Sequence, residues 1–286
     1  MSSTTGSKTP SAEPVRTAAV VTHGHPEAIG EGLERLERVA AKCEVDLVYP
    51  EDEAQKHGRP VDGELGSADL VVVLGGDGTM LRALKRSLGS GPPVIGVNYG
   101  AVGFLTSISA GDLEQGLERT FSGEYEVVEL PTIEADAQGE EHVAVNDLVV
   151  ASSTIGRMIE LGWVIGGEDL GVLPCDGVIC STPSGSTGYN LSNGGPVLVW
   201  GLDAQTVTFI AAHSLHARPL VVPRGSDVEI ENRTDDVPGL VLVDGHPVTQ
   251  LARGERVVAR LGEERSRLAH LPEATFFRRY RETFAS

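Results

Sequence analysis

Five consecutive residues, Gly75-Gly76-Asp77-Gly78-Thr79, combine positions that admit close backbone approach with one side chain able to move a proton. They follow the apolar run Leu70 to Leu74, so the loop leaves the carboxyl end of a strand covered on both faces. Without a Cβ, Gly75, Gly76 and Gly78 let phosphate oxygens reach main-chain N–H groups. Thr79 is placed to cap the helix that continues MLRALKR, turning the positive end of its dipole toward a bound anion. Asp77 repels phosphates, which leaves it two tasks: holding a divalent metal, or taking a proton from an attacking hydroxyl. Both belong to phosphoryl transfer. The alternative is a tight turn in which Asp77 satisfies loop amides.

A second Gly-rich loop follows the short apolar run PPVIGV: Asn98, Gly100 and Gly103, then Phe104 and Leu105. If the two strands are neighbours, both loops face one crevice, one for a nucleotide's phosphates and one for a second ligand. An ordinary strand-to-helix turn is the other reading. Further on, CDGVICSTPSGSTGYNLSNGGP, from Cys175 to Pro196, carries more hydroxyls and glycines than a strand core admits. Its Ser184, Thr187 and Ser192 offer short donors and acceptors, and Gly188 lets backbone come close, which suits a polyhydroxylated, phosphorylated ligand. Tyr189 is either a stacking face for a base or a core residue. Asn146 and Asp147 interrupt apolar VAV and LVV, as an edge bulge or as a pair that recognises a base or ribose.

The elements that must position these residues alternate at first. TAAVVTHG is a strand, IGEGLERLERVAAKC an amphipathic helix, and VDLVYPE and ADLVVVLGGDG two more strands, the pattern of a doubly wound α/β domain with a parallel sheet. From about Tyr125 short alternating strands follow, separated by Gly, Asp and Pro, and predict antiparallel sheets in a sandwich. The expected division is a flexible polar tail over 1–14, an α/β domain over 15–123, and a β-sandwich over 124–268. A C-terminal helix over 269–286, ATFFRRYRETF at its centre, returns toward the first domain.

Forty-one acidic against 23 basic residues give a formal charge of -18, which argues against nucleic acid as a partner. Four of the basic residues are Lys, so Arg carries the positive charge, and the acid excess suggests a salt-rich cytoplasm such as that of a halophilic archaeon. Three cysteines, Cys43, Cys175 and Cys180, fit reduced, mostly buried thiols. Neither a signal-peptide pattern nor a run of membrane-spanning length occurs, which predicts a cytoplasmic protein with no membrane partner.

Taken in order, these motifs resemble the NAD kinases, which phosphorylate the adenosine ribose 2'-hydroxyl of NAD to make NADP. Residues 75–79 resemble that family's GGDGT loop, Asn98 to Leu105 its NxGxxGFL segment, Asn146-Asp147 its Asn-Glu pair, and Thr182 to Tyr189 its TPTGSTAY signature. Ser192, Gly194-Gly195-Pro196, Arg218-Pro219-Leu220 and Asp244-Gly245 also fit. GGDGT alone also occurs in diacylglycerol-type lipid kinases and phosphofructokinases, so the ordered set carries the resemblance.

The resemblance implies an α/β domain, a β-sandwich and a site in the cleft between them, in a homodimer or homotetramer. It makes Asp77 the base that orients and deprotonates the 2'-hydroxyl, with the loop glycines near the phosphates of ATP or polyphosphate. Asn146 and Asp147 would hold the adenosine of NAD, Phe104 would lie against NAD, and Asp176, Ser184, Thr187, Gly188, Tyr189 and Ser192 would line the dinucleotide pocket. Mg²⁺ would arrive on the donor phosphates rather than in a protein cage. Three departures bear on pocket geometry: Asp147 for Glu, Gly188 for Ala and Cys175 for Gly. A lipid kinase and a catalytically silent NAD-binding sensor are the rival readings.

Overall fold

A computed structural model describes residues 13–89, 91–101 and 103–284, so most of the expected N-terminal tail lies outside the described residues. The chain divides into two compact units, one formed by the residues up to Glu129 together with those from Ser266 onward, the other by Leu130–Arg265.

In the first unit β1 (Thr17–Thr22), α1 (Gly32–Lys42), β2 (Asp46–Val48), α2 (Glu51–His57), β3 (Leu70–Gly75), α3 (Asp77–Arg86), β4 (Val94–Asn98), β5 (Ile108–Ser109) and α4 (Leu113–Phe121) follow in order. Strands β2, β1, β3 and β4 lie side by side and parallel, with β5 also pairing parallel to β4. This order reverses between β1 and β3, and the crevice outside that point is where doubly wound sheets take ligands. Strand β3 is buried at all six positions. Its Leu70, Val72 and Leu74 share one core with Leu36 and Val39 of α1 and Leu113 and Leu117 of α4.

On the opposite face α3 sits close to β4 because Gly96 has no side chain. A Cβ there would stand 2.5 Å from Met80 Sδ and 2.9 Å from Thr106 Cγ2. Helix α2 escapes a periodicity reading because EDEAQKH has little apolar surface, and its buried members are Glu53 and Ala54. That carboxylate is matched by Lys56 Nζ at 2.8 Å and by the Thr22 hydroxyl, which donates to it at 2.7 Å. Such pairing is the condition on which a charge is buried.

The second unit is antiparallel. It contains most of β6 (Glu126–Ala137), then β7 (Glu140–Ala144), β8 (Asp147–Ser152), β9 (Ile159–Ile165), β10 (Glu168–Cys175), β11 (Gly177–Ser181), the short helix α5 (Tyr189–Ser192), β12 (Ala204–Ile210), β13 (Leu220–Pro223), β14 (Val228–Asn232), β15 (Gly239–Val243), β16 (His246–Leu251) and most of β17 (Arg256–His270). One layer runs β13-β12-β11-β8-β15-β16; the other includes β10-β9-β14-β17, with β6 pairing both β17 and β7. Val150, Val178 and Val207 from the first layer share a core with Leu161, Ile230 and Val257 from the second. Trp163 of β9 meets Phe209 of β12 edge-on, with ring centroids 5.0 Å apart.

Strands β10, β13 and β16 have no counterpart in the sequence reading. Each ends a sheet, and β10 is exposed along its first five residues, so no alternation of buried and exposed side chains marks it. The chain re-enters the first unit within β17, whose Leu268 pairs parallel with Val94 of β4, and ends in α6 (Phe276–Phe284). Cys175 and Cys180 are buried and Cys43 partly so, all three as free thiols. Among the described residues no helix is long and apolar enough to cross a membrane.

The packing at Gly96 makes a definite demand. Gly96→Val drives two methyls into Met80 and Thr106, and we expect it to cost about 1–3 kcal/mol in urea unfolding. Wild-type stability in that variant would contradict the close seating of α3 on β4.

Candidate functional site

In the first unit, β3 ends at Gly75 and α3 begins at once with Asp77, Gly76 being its N-cap. This corrects the expectation that Thr79 caps the helix. Thr79 lies inside the first turn, its N–H donating to Gly76 O at 3.0 Å. Its buried side chain folds back on the strand end, where a Cβ on Gly75 would stand 2.5 Å from Thr79 Oγ1. The helix starts three residues earlier because extended Gly76 makes the turn and Asp77 enters the first turn, where a carboxylate faces the positive end of the dipole.

Asp77 does not cap its own helix. Its Oδ2 accepts from the Phe104 N–H at 2.8 Å and its Oδ1 from the Leu105 N–H at 3.0 Å. Gly103 is required by this contact, since a Cβ at that position would stand 2.2 Å from Asp77 Oδ1. Main-chain contacts tighten the union: the Tyr99 N–H donates to Gly75 O at 3.1 Å, and a Cβ on Gly100 would be 3.6 Å from the Gly76 Cα. Asn98 builds its own turn, Oδ1 accepting from the Gly100 N–H at 2.9 Å and Nδ2 donating to Ala101 O at 3.1 Å. The two glycine loops are therefore one constructed surface. Gly78 is exposed at its rim, and the half-buried Asp77 keeps further lone pairs for a hydroxyl proton. The Phe104 ring lies in an aromatic cluster with Phe276 and Phe284, and its residue is 5% exposed.

The second unit gathers a different set. Asn146 and Asp147 stand where the chain enters β8, an interior strand flanked by β11 and β15, so they are not an edge bulge. Asp244, in the left-handed first position of the two-residue turn joining β15 to β16, aims its carboxylate at them. Its oxygens accept from the N–H groups of Val145 at 3.1 Å, Asn146 at 2.8 Å and Asp147 at 3.4 Å. Burial, together with the neighbouring Asp244, raises the Asp147 carboxyl to about 6.

From the hydroxyl-rich stretch, the Ser184 hydroxyl lies 3.0 Å from Asn146 Oδ1, and the Thr182 hydroxyl donates to Val145 O at 2.7 Å. Gly185 allows this approach, because a Cβ there would stand 2.3 Å from Asn146 O. Thr187 follows, its hydroxyl donating to Ser184 O at 3.3 Å. Exposed Gly188 leads into α5, where Tyr189 and Ser192, three residues apart, present an exposed ring and hydroxyl. Tyr189 is 47% exposed and is no core residue. The core position of this helix is Asn190, whose amide binds Ser186 O and Pro196 O and accepts from Thr206 and Thr208.

Asp176 is not brought to this group within the chain. In the ladder of β11 with β8, Ser181 pairs with Asp147 and Gly177 with Ala151, so Asp176 lies at the other end, roughly 17 Å along the strand. Two residues without a predicted role emerge instead: Asp244, whose target amides are 97 to 99 positions away, and Arg279 of α6, which lies in the electrostatic field of Asp77. An Asp-Gly pair between apolar runs signals the turn at Asp244, but nothing in the sequence signals its target. Among the described residues no three His, Cys, Asp or Glu side chains converge as a metal site would.

Comparison with known proteins completes the assignment. Residues 25–125 match the ATP-NAD kinase N-terminal domain and residues 145–271 the ATP-NAD kinase C-terminal domain. NAD kinase 2 of Streptomyces avermitilis is 36% identical over 279 residues, covering 95% of this chain and 90% of that protein. The crystal structure of an Archaeoglobus fulgidus NAD kinase in complex with ATP superposes with a TM-score of 0.74 at 28% identity, covering 94% of this chain and 97% of that one. Yeast NADH kinase complexed with NADH shares the fold, with a TM-score of 0.83 at 24% identity over 96% of this chain and 88% of that one. With both domains matched in order, and a relative aligned over nearly its whole length, the chain belongs to the NAD kinase family.

Proposed function

We infer that this chain is an NAD kinase, moving a phosphoryl group from ATP to the adenosine ribose 2'-hydroxyl of NAD. The observation that carries the reading is the Asp77 carboxylate, fixed by two amides of the neighbouring loop at the start of α3. A hydroxyl held against that carboxylate loses its proton to it as the new O–P bond forms. The bond from the γ-phosphorus to the bridging oxygen breaks, and its electron pair leaves with ADP. Most of the acceleration then comes from in-line positioning, which a carboxylate already oriented by two amides supplies without reorganisation.

Asn146 and Asp147, with Ser184 beside them, offer a carboxylate, an amide and a hydroxyl that suit the adenosine of NAD. Thr187, Gly188, Tyr189 and Ser192 extend that surface with a ring for stacking and a hydroxyl. Mg²⁺ carried on the donor phosphates would neutralise their charge; the loop around Asp77, which binds through main-chain amides, suits a donor that brings its own metal. The A. fulgidus complex with ATP supports ATP as donor, and polyphosphate would meet the same amides. A homodimer or homotetramer working in a salt-rich cytoplasm fits the family and the charge of -18. Turnover separates this reading from a silent NAD-binding sensor.

NADP formation by purified protein with NAD, Mg²⁺ and ATP is the direct assay. Activity should rise between low salt and molar KCl, as screening relieves acidic self-repulsion; a steady fall would remove the salt-rich setting. Asp77→Asn should retain NAD binding while slowing turnover by about 10²-fold to 10⁴-fold. Because an amide group can satisfy only one of the two loop N–H donors as acceptor, a modest loss in melting temperature should accompany it. Undiminished turnover would take the base role from Asp77.

Asp147 ties binding to pH. With its carboxyl raised to about 6, protonation below that value removes an anionic acceptor, so KM for NAD should climb as pH falls from 7 to 5. Stability has the opposite slope: a raised folded-state value means a penalty absent in acid that is fully present above about pH 6. Asp147→Asn should therefore stabilise by roughly 1–3 kcal/mol at pH 8, shrinking toward pH 4. Denaturant melts at the two pH values check the sign.

A further inference from the structure

Helix α6 is seated by aromatic side chains. Phe276 and Phe284, eight residues apart, both reach the Phe104 ring, with centroid separations of 6.0 and 5.6 Å. Tyr280 bridges them, 6.4 Å from Phe276 and 5.1 Å from Phe284. The residue they grip is the one whose N–H donates to Asp77 Oδ2. The helix is thus anchored one residue from the proposed base, and the turn between its anchors carries Arg279.

Arg279 is half-buried, and its charge is held between desolvation and the opposing pull of Glu282 and Asp77. Neither acid satisfies it. Glu282 accepts from Arg278 Nε at 2.9 Å, and both oxygens of Asp77 are engaged by loop amides. Among the described residues Arg279 forms no ion pair within 4.0 Å. In a chain with 41 acidic residues against 23 basic ones, a shielded guanidinium without a carboxylate partner is a place kept for another anion. Through Phe104 the helix that carries Arg279 is seated on the loop that holds Asp77, where the phosphoryl group passes in the proposed reaction.

We propose that Arg279 is a further catalytic residue, which contacts the phosphoryl group as it passes from donor to ribose hydroxyl and offsets the charge on its oxygens. The proposal rests on the NAD kinase reading. The atoms balance as in that reaction: the ribose O–P bond forms, the bridging P–O bond breaks, the hydroxyl proton goes to Asp77, and Arg279 neither gains nor loses a proton. Its planar fork suits two oxygens of one phosphoryl group, which an ammonium cannot match.

The test compares wild type, Arg279→Ala and Arg279→Lys in one NADP-forming assay, with NAD binding and thermal melting measured on each. Arg279→Ala should lower kcat on the order of 10²-fold to 10³-fold, as loss of one preorganised charge does. KM for NAD and the melting temperature should barely move. Arg279→Lys should recover part of the rate, and added guanidinium ion should restore part of the activity of the Ala variant alone. Unchanged or higher kcat in Arg279→Ala overturns the proposal, and so does a loss matched by a lower melting temperature and not rescued by guanidinium. Wild-type protein that forms no NADP in the same assay overturns the kinase reading itself, and the proposal with it.

Discussion

Two backbone amides, those of Phe104 and Leu105, end on the two oxygens of Asp77, and the union of the first unit's two glycine loops depends on that pair of bonds. They join a loop that leaves β3 to one that leaves β4. They also orient a carboxylate that would otherwise rotate at the mouth of a helix. The bonds are charge-assisted and each stronger than a neutral one. Their geometry excludes a side chain at Gly103, where a Cβ would meet the Asp77 carboxylate. The carboxylate thus has a structural duty, and a turn that satisfies amides leaves room for the base role proposed for it, because each oxygen keeps a further lone pair.

The second unit repeats the device with a different outcome. Asp244 gathers three successive amides from Val145 to Asp147 and so sets the backbone of the Asn146-Asp147 pair. Here a second carboxylate, that of Asp147, is carried close to the first and buried, which destabilises its charged form. Around the pair, Thr182, Ser184 and Gly185 pack so tightly on Asn146 that the hydroxyl-rich stretch has little freedom left. Its solvent side runs from Thr187 to Ser192, where Gly188, Tyr189 and Ser192 are exposed.

Helix α6 shows how a remote part of the chain can reach a loop that local sequence has already built. Its aromatic residues grip Phe104, some 170 positions earlier in the chain, and bring an arginine into the field of Asp77. The Phe104 ring, expected to lie against the dinucleotide, is also the seat of this helix.

Much of the first unit is legible from residue order. The apolar run before Gly75 dictates a buried parallel strand, the glycines after it a loop with accessible amides, and the alternation of strand and helix a doubly wound sheet. The ordered motifs point to an NAD kinase. These are local signals, carried by residue type and period. The rest are facts of distance, which arise only once the chain has folded. Edge strands β10, β13 and β16 carry no burial pattern of their own, and α2 has too little apolar surface to announce itself. Asp176 stands near Ser184 in sequence but at the far end of a strand, since an extended chain rises about 3.3 Å per residue. Asp244 and Arg279 act on residues far from them in sequence. Period and propensity report what a residue's neighbours in the chain are, while an amide or an anion is recognised through space, and that requires the fold.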